Sequence, residues 1–106
     1  MTEKFTPGEW KVFHHKDEFM KSFDWREIVT KETPPKALAH IMYYEEMPQE
    51  EYEANATLIA AAPEMYRMLE QLSEYFHKLG KQRRSIKMYT IANRIDSVLK
   101  KARGGE

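Results

Sequence analysis

Apolar and polar positions alternate in the first part of the chain and recur at helical spacing in the rest. Glu9-Trp10-Lys11-Val12-Phe13 has the two-residue period of a half-buried strand, and Pro7-Gly8 before it signals a turn. Trp25-Arg26-Glu27-Ile28-Val29-Thr30 ends in β-branched residues and predicts a second strand. Thr33-Pro34-Pro35 breaks any regular element. Ala37 to Tyr44 then predicts a third strand, closed by Glu45-Glu46. Three strands so spaced suggest an antiparallel meander with one face in need of cover. The stretch His14 to Phe23 stays open, since Phe19, Met20 and Phe23 suit either a short helical turn or a long hairpin loop.

From Pro48 the period becomes helical. Pro48 suits a first turn, where its missing N–H costs nothing, and Glu50, Glu51 and Glu53 bring negative charge to the positive end of the helix dipole. Tyr52, Ala56, Ile59 and Ala60 recur at i, i+4, i+7 and i+8 as one buried stripe. Pro63 predicts a kink, or a break with a new helix starting there. Met65, Met68, Leu69, Leu72, Tyr75, Phe76 and Leu79 make a broad apolar face beyond it, and Gly80 is the expected C-cap. A last helix over 82–102 has Ile86, Tyr89, Ile91, Ile95, Val98 and Leu99 as its apolar side, before a tail, Gly104-Gly105-Glu106, expected to fray. The pattern therefore predicts an α+β fold in one domain over 1–106. Residues 1–47 are mainly strands, and 48–103 are helical, with the helix over 48–79 kinked or broken.

Composition adds bounds to this picture. The 106 residues carry 17 Lys+Arg against 17 Asp+Glu, which argues against bulk-charge binding of nucleic acid or an anionic membrane. The charge is nevertheless segregated: −2 over residues 1–47, −4 over 48–79 and +6 over 80–106. Adjacent helices of opposite sign favour an antiparallel helical hairpin. The same segregation leaves a basic face at Lys81, Arg83, Arg84, Lys87 and Arg94. The absence of Cys excludes disulfides, thiol chemistry and cysteine-based zinc sites. MTEKFTPGEW lacks a signal-peptide core, and the longest nearly uncharged apolar run, Ala54 to Pro63, falls short of the ~20 residues that span a bilayer. A cytoplasmic protein without a membrane partner is the expectation.

Glu53-Ala54-Asn55-Ala56-Thr57-Leu58-Ile59-Ala60-Ala61-Ala62-Pro63-Glu64-Met65 resembles the EANAxLIAAAPE segment of a family of small proteins, mostly uncharacterised, encoded by tailed bacteriophages and prophages. Those proteins often begin with a segment similar to Thr6-Pro7-Gly8-Glu9-Trp10-Lys11-Val12, a TPGxW start followed by short strands and then the motif helix. Glu9 stands where a second proline is common, and Lys16 to Phe23 lies outside the pattern. The resemblance covers roughly residues 6–72. It implies a phage or prophage origin, hence the host cell cytoplasm, and an α+β fold, and it carries over no catalytic residue.

Candidate chemistry is thin. The alanines around Asn55 let the helix approach a neighbour closely. Asn55 itself suits three roles: a bond to a strand-edge or loop carbonyl that locks helix to sheet, recognition of a polar ligand in a crevice beside Trp10, or a solvent-facing amide. His14, His15, His40 and His77 lack metal-ligand spacing, and adjacent His14 and His15 point to opposite sides of a strand. No metal or cofactor is expected. Glu45-Glu46 and Glu50-Glu51 are explained as solvated charges near a helix start. Ser22, Ser73, Ser85 and Ser97 lack a nucleophile-elbow context, and no glycine-rich phosphate loop exists. Trp10, Trp25, Phe13, Tyr43 and Tyr44 suit cross-strand packing better than base stacking.

The leading expectation is thus a non-enzymatic phage accessory protein acting by protein binding, as a homodimer, with a host or phage protein as partner. One alternative is capture of a small nucleotide-like ligand by Asn55, Trp10 and Arg84. A second is weak nucleic-acid binding by the basic last helix through Arg83, Arg84, Lys87 and Arg94.

Overall fold

The computed structural model describes residues 5–15, 25–41 and 46–105. The open segment after His15 and the expected end of the third strand, Met42 to Tyr44, lie outside the described residues, as do the side chains of His15 and Trp25. Two compact units divide the chain: Pro7–Pro63, and residues 64–105 with Phe5 and Thr6.

The first unit is a three-stranded antiparallel sheet, in the order β1 (Trp10–His15), β2 (Trp25–Thr30), β3 (Ala37–Ile41), covered by α1 (Gln49–Ala60). The α+β meander is as the alternation predicts. The register pairs Trp10 with Thr30, Val12 with Ile28 and His14 with Arg26, so six residues of β1 are drawn into the sheet, starting one position later than expected and ending two later. Ile28 also opposes Ala39, and an irregularity between Ile28 and Val29 lets Val29 pair with Ala37. Residues 26–30 of this central strand, which pairs with a neighbour on either edge, are all buried. Thr30 closes the loop to β3: its hydroxyl accepts from the Lys36 N–H at 2.9 Å, and its own N–H donates to the Lys36 carbonyl.

Helix α1 starts after Pro48 with Glu50 and Glu51 in its first turn, and buries Tyr52 and Ala56. The rest of the expected stripe is less covered: Ala60 is half-buried and Ile59 exposed. Tyr52 is the anchor. Its hydroxyl accepts from the Arg26 N–H at 2.7 Å and donates to the Ile41 carbonyl at 3.1 Å, tying α1 to both β2 and β3. The Arg26 guanidinium lies over the Tyr52 ring and pairs with Glu53 at 2.9 Å. Asn55 is exposed, so the locking bond considered for it is made by Tyr52 instead. The Pro63 effect is a break: α1 ends at Ala60, and α2 (Ala62–Arg83) starts with Pro63 in its first turn.

The second unit is an antiparallel hairpin of α2 and α3 (Ile86–Ala102). Its direction is set by the opposed pairs Tyr66 with Arg103, Ser73 with Asp96 and Gly80 with Tyr89. Here two expectations need correction. Gly80 does not end the helix. It is buried within α2, and a Cβ there would stand 3.3 Å from the Tyr89 ring, so the glycine serves close helix approach. The helix runs on to Arg83 and ends with Arg84 in the left-handed region (φ 48°), where the Ser85 N–H donates to the Gly80 carbonyl in a Schellman bond. The Ser85 hydroxyl then caps α3 by accepting from the Met88 N–H. The tail, too, is tied down as far as it is described: Gly104 takes φ 86°, and the Gly105 N–H donates to the Lys100 carbonyl at 2.9 Å, capping α3.

Candidate functional site

The inner seam of the hairpin is built from small and polar residues. Tyr66, Ser73 and Gly80, each seven residues from the last, are buried on α2, and Ala92 and Leu99 are buried on α3. This spacing lets the two helices approach, and polar contacts hold them. Asp96 is the centre of one such clasp: the Ser73 hydroxyl donates to one carboxylate oxygen, and His77 Nε2 sits 2.7 Å from the other. The Ser73 and His77 hydrogen bonds, in that order, hold the Asp96 carboxyl below the ordinary value of 3.8, against a smaller opposing effect of burial. Arg103 forms a second clasp, donating to the Tyr66 hydroxyl at 2.6 Å and pairing with Glu70 at 3.5 Å. Phe5 packs edge-on against the same Tyr66 ring.

Serine, histidine and aspartate together invite comparison with a nucleophilic triad, but the order of contacts is wrong for one. A triad needs the imidazole against the hydroxyl, with the carboxylate behind the imidazole. In this hairpin the carboxylate takes both partners, and the Ser73 proton points at Asp96. The arrangement clasps two helices. A cleft of about 380 Å³ beside it is lined by Glu70, Ser73, Glu74, Asp96, Leu99 and Arg103. Among the described residues, no three His, Asp or Glu side chains converge as metal ligands would.

The residues singled out from the sequence separate as follows. Trp10 is half-buried at the start of β1 and Asn55 exposed on α1, both in the sheet unit, whereas Arg84 is exposed at the turn of the hairpin unit. Arg83, Arg84 and Lys87 gather around that turn, all exposed, and Arg94 lies about two helical turns further along α3. Lys81 and Arg83 occupy the last turn of α2, where positive charge complements the helix dipole.

The most distinctive surface is apolar. Of the broad face expected on α2, Leu69, Phe76 and Leu79 are half-buried, while Met65, Met68, Leu72 and Tyr75 are 49%, 56%, 37% and 58% exposed. Spaced three, four and three residues apart, these four form one stripe along the helix. A shallow groove of about 390 Å³ lined by Glu64, Met65, Met68 and Leu69 lies at its N-terminal end. Sequence reasoning found these residues as one broad apolar face without separating its covered half from its exposed half. It missed Ser73, His77 and Asp96 as a group, because they come from two helices and share no local spacing. The available signal was the run Tyr66, Ser73, Gly80.

No helix is long and apolar enough to cross a membrane among the described residues. A family model described as Salmonella phage P22 protein Y8K6 matches residues 1–106, and the chain belongs to that family. No curated protein and no solved structure matches it.

Proposed function

Taking membership of a phage protein family as the premise, we propose that this is a non-enzymatic accessory protein that acts by protein binding in the host cytoplasm, as a homodimer that engages a host or phage protein. The observation that supports this reading is the exposed stripe Met65, Met68, Leu72 and Tyr75 on α2. Single exposed apolar residues are ordinary, but a contiguous row of four is characteristic of a contact surface. Water around those side chains is released when a second surface covers them, and that release is the driving force for association.

The test is size-exclusion chromatography with light scattering on the full chain and on the double variant Met68→Glu, Leu72→Glu. The wild type is expected to run as a dimer and the variant as a monomer with unchanged helix content. A wild type that stays monomeric across the accessible concentration range overturns the homodimer. Pull-down from host lysate, with the same variant as control, then tests the partner.

A further inference from the structure

We propose that two copies of the chain pair through α2 in antiparallel fashion, about a two-fold axis that passes between Met68 and Leu72. This rests on the homodimer reading and supplies its geometry.

The stripe has the 3–4–3 spacing of an a/d seam, the pattern by which one helix packs along another. Its neighbouring flank on α2 already faces α3, through Tyr66, Ser73 and Gly80, so a second helix has only the other flank to use. Along that flank run Glu64, Gln71 and Lys78, each seven residues from the last and all exposed. Their order decides the direction. An antiparallel two-fold sets Met65 opposite the partner's Tyr75 and Met68 opposite the partner's Leu72. The same operation sets Glu64 near the partner's Lys78, and leaves the uncharged Gln71 facing its own copy at the axis. A parallel pair would instead bring Glu64 level with the partner's Glu64, and Lys78 level with the partner's Lys78. Those copies would lie on opposite sides of the seam, so Glu64 would face the partner's apolar Leu69 and Lys78 the partner's Arg83, and neither charge would meet its opposite.

The surface shape agrees with the charges. The groove lined by Glu64, Met65, Met68 and Leu69 is where the partner's Tyr75 would arrive. Tyr75 stands exposed, its ring held edge-on against Phe76 at 5.4 Å, ready to enter such a groove. A two-fold uses each groove and each tyrosine once, so the interface is closed and self-complementary.

The chain has no cysteine, so single-cysteine variants report proximity without background. Glu64→Cys mixed with Lys78→Cys is expected to cross-link with a short bis-maleimide, while each variant alone is not. In parallel, Glu64→Lys and Lys78→Glu should each weaken the dimer by about tenfold, since every dimer carries the contact twice. The double swap should restore it to within about threefold. Helix content by circular dichroism confirms that each variant is folded. Wild-type dimer with no cross-linking of the mixture, or with cross-linking of each variant to itself, overturns the antiparallel geometry and leaves the homodimer standing. A wild-type monomer overturns both.

Discussion

The sheet unit and the helical hairpin differ in where they leave their exposed apolar groups. In the sheet unit the largest fully buried side chains are Tyr52, Ile28 and Pro63, and the buried charges Arg26 and Glu27 pair with the exposed side chains of Glu53 and His40. The hairpin buries Tyr66, Ser73, Gly80, Ala92 and Leu99 on its seam and exposes Met65, Met68, Leu72 and Tyr75. Both units leave large apolar groups exposed, Phe13, Leu58 and Ile59 in the sheet unit, but on α2 four of them fall on one helical stripe. The hairpin holds itself together with close approach, hydrogen bonds and the buried Tyr66 and Leu99, and presents that stripe outward. In the proposed reading a second molecule covers that stripe, which is the ground on which the association surface is assigned to α2.

This contrast breaks most sharply at Tyr52. Tyr52→Phe keeps the ring in the core but removes the hydroxyl, leaving the Arg26 N–H and the Ile41 carbonyl without their buried partner. An expected loss of about 1–3 kcal/mol follows, since the Arg26 bond is buried and the Ile41 bond only partly so. Both tryptophans lie in β1 and β2, so urea unfolding followed by tryptophan fluorescence reads this unit directly. A loss below about 0.5 kcal/mol would mean that packing, not hydrogen bonding, seats α1 on the sheet.

The matching variant in the hairpin is Gly80→Leu. A bare Cβ there already stands 3.3 Å from the Tyr89 ring, so a branched side chain must push α3 away. The overpacking is expected to cost about 1–3 kcal/mol by helical circular dichroism, even though leucine suits a helix better than glycine. Stabilisation would refute the close-approach role and return Gly80 to a merely tolerated position.

Gly80 also marks the limit of what the sequence can show. The two-residue period around Trp10, the β-branched end of the second strand, the helical period after Pro48 and the break at Pro63 are all local, and each marks an element that the structure has within about two residues of the expected start. Helix ends and burial are not local. Gly80 has the identity of a terminator, but Tyr89 on another helix makes it useful inside α2, and Arg84 takes the left-handed turn in its place. The apolar face of α2 was legible in width. Which half of it is covered was not, because Leu69 and Phe76 and then Met65 and Leu72 follow one another around the same cylinder without a gap. Only the small residues at 73 and 80 point to the covered half. The Asp96 clasp left no local mark at all, since its members pair across 23 and 19 residues.

The smallest expected effect tests whether that clasp is worth its polar groups. Asp96→Asn keeps the shape but loses the negative charge that accepts from Ser73 and pairs with His77 when the ring is protonated. The site is nearly half exposed, so solvent screens the pair and the loss at neutral pH should be about 0.5 kcal/mol. Its pH dependence is the sharper signature. Asp96 binds its proton less readily in the folded hairpin than the ordinary value of 3.8 implies, chiefly through the Ser73 hydroxyl and then His77. Its contribution is therefore fully present above the unfolded-state value and is lost as pH falls through the lowered folded-state value. The wild type should lose hairpin stability on acidification below about pH 4 more steeply than Asp96→Asn, which has no such proton to bind. Parallel acid profiles for the two proteins would show that Asp96 titrates as a free surface carboxylate, and the hairpin would then owe its pairing to the Gly80, Ala92 and Leu99 seam and the Arg103 clasp.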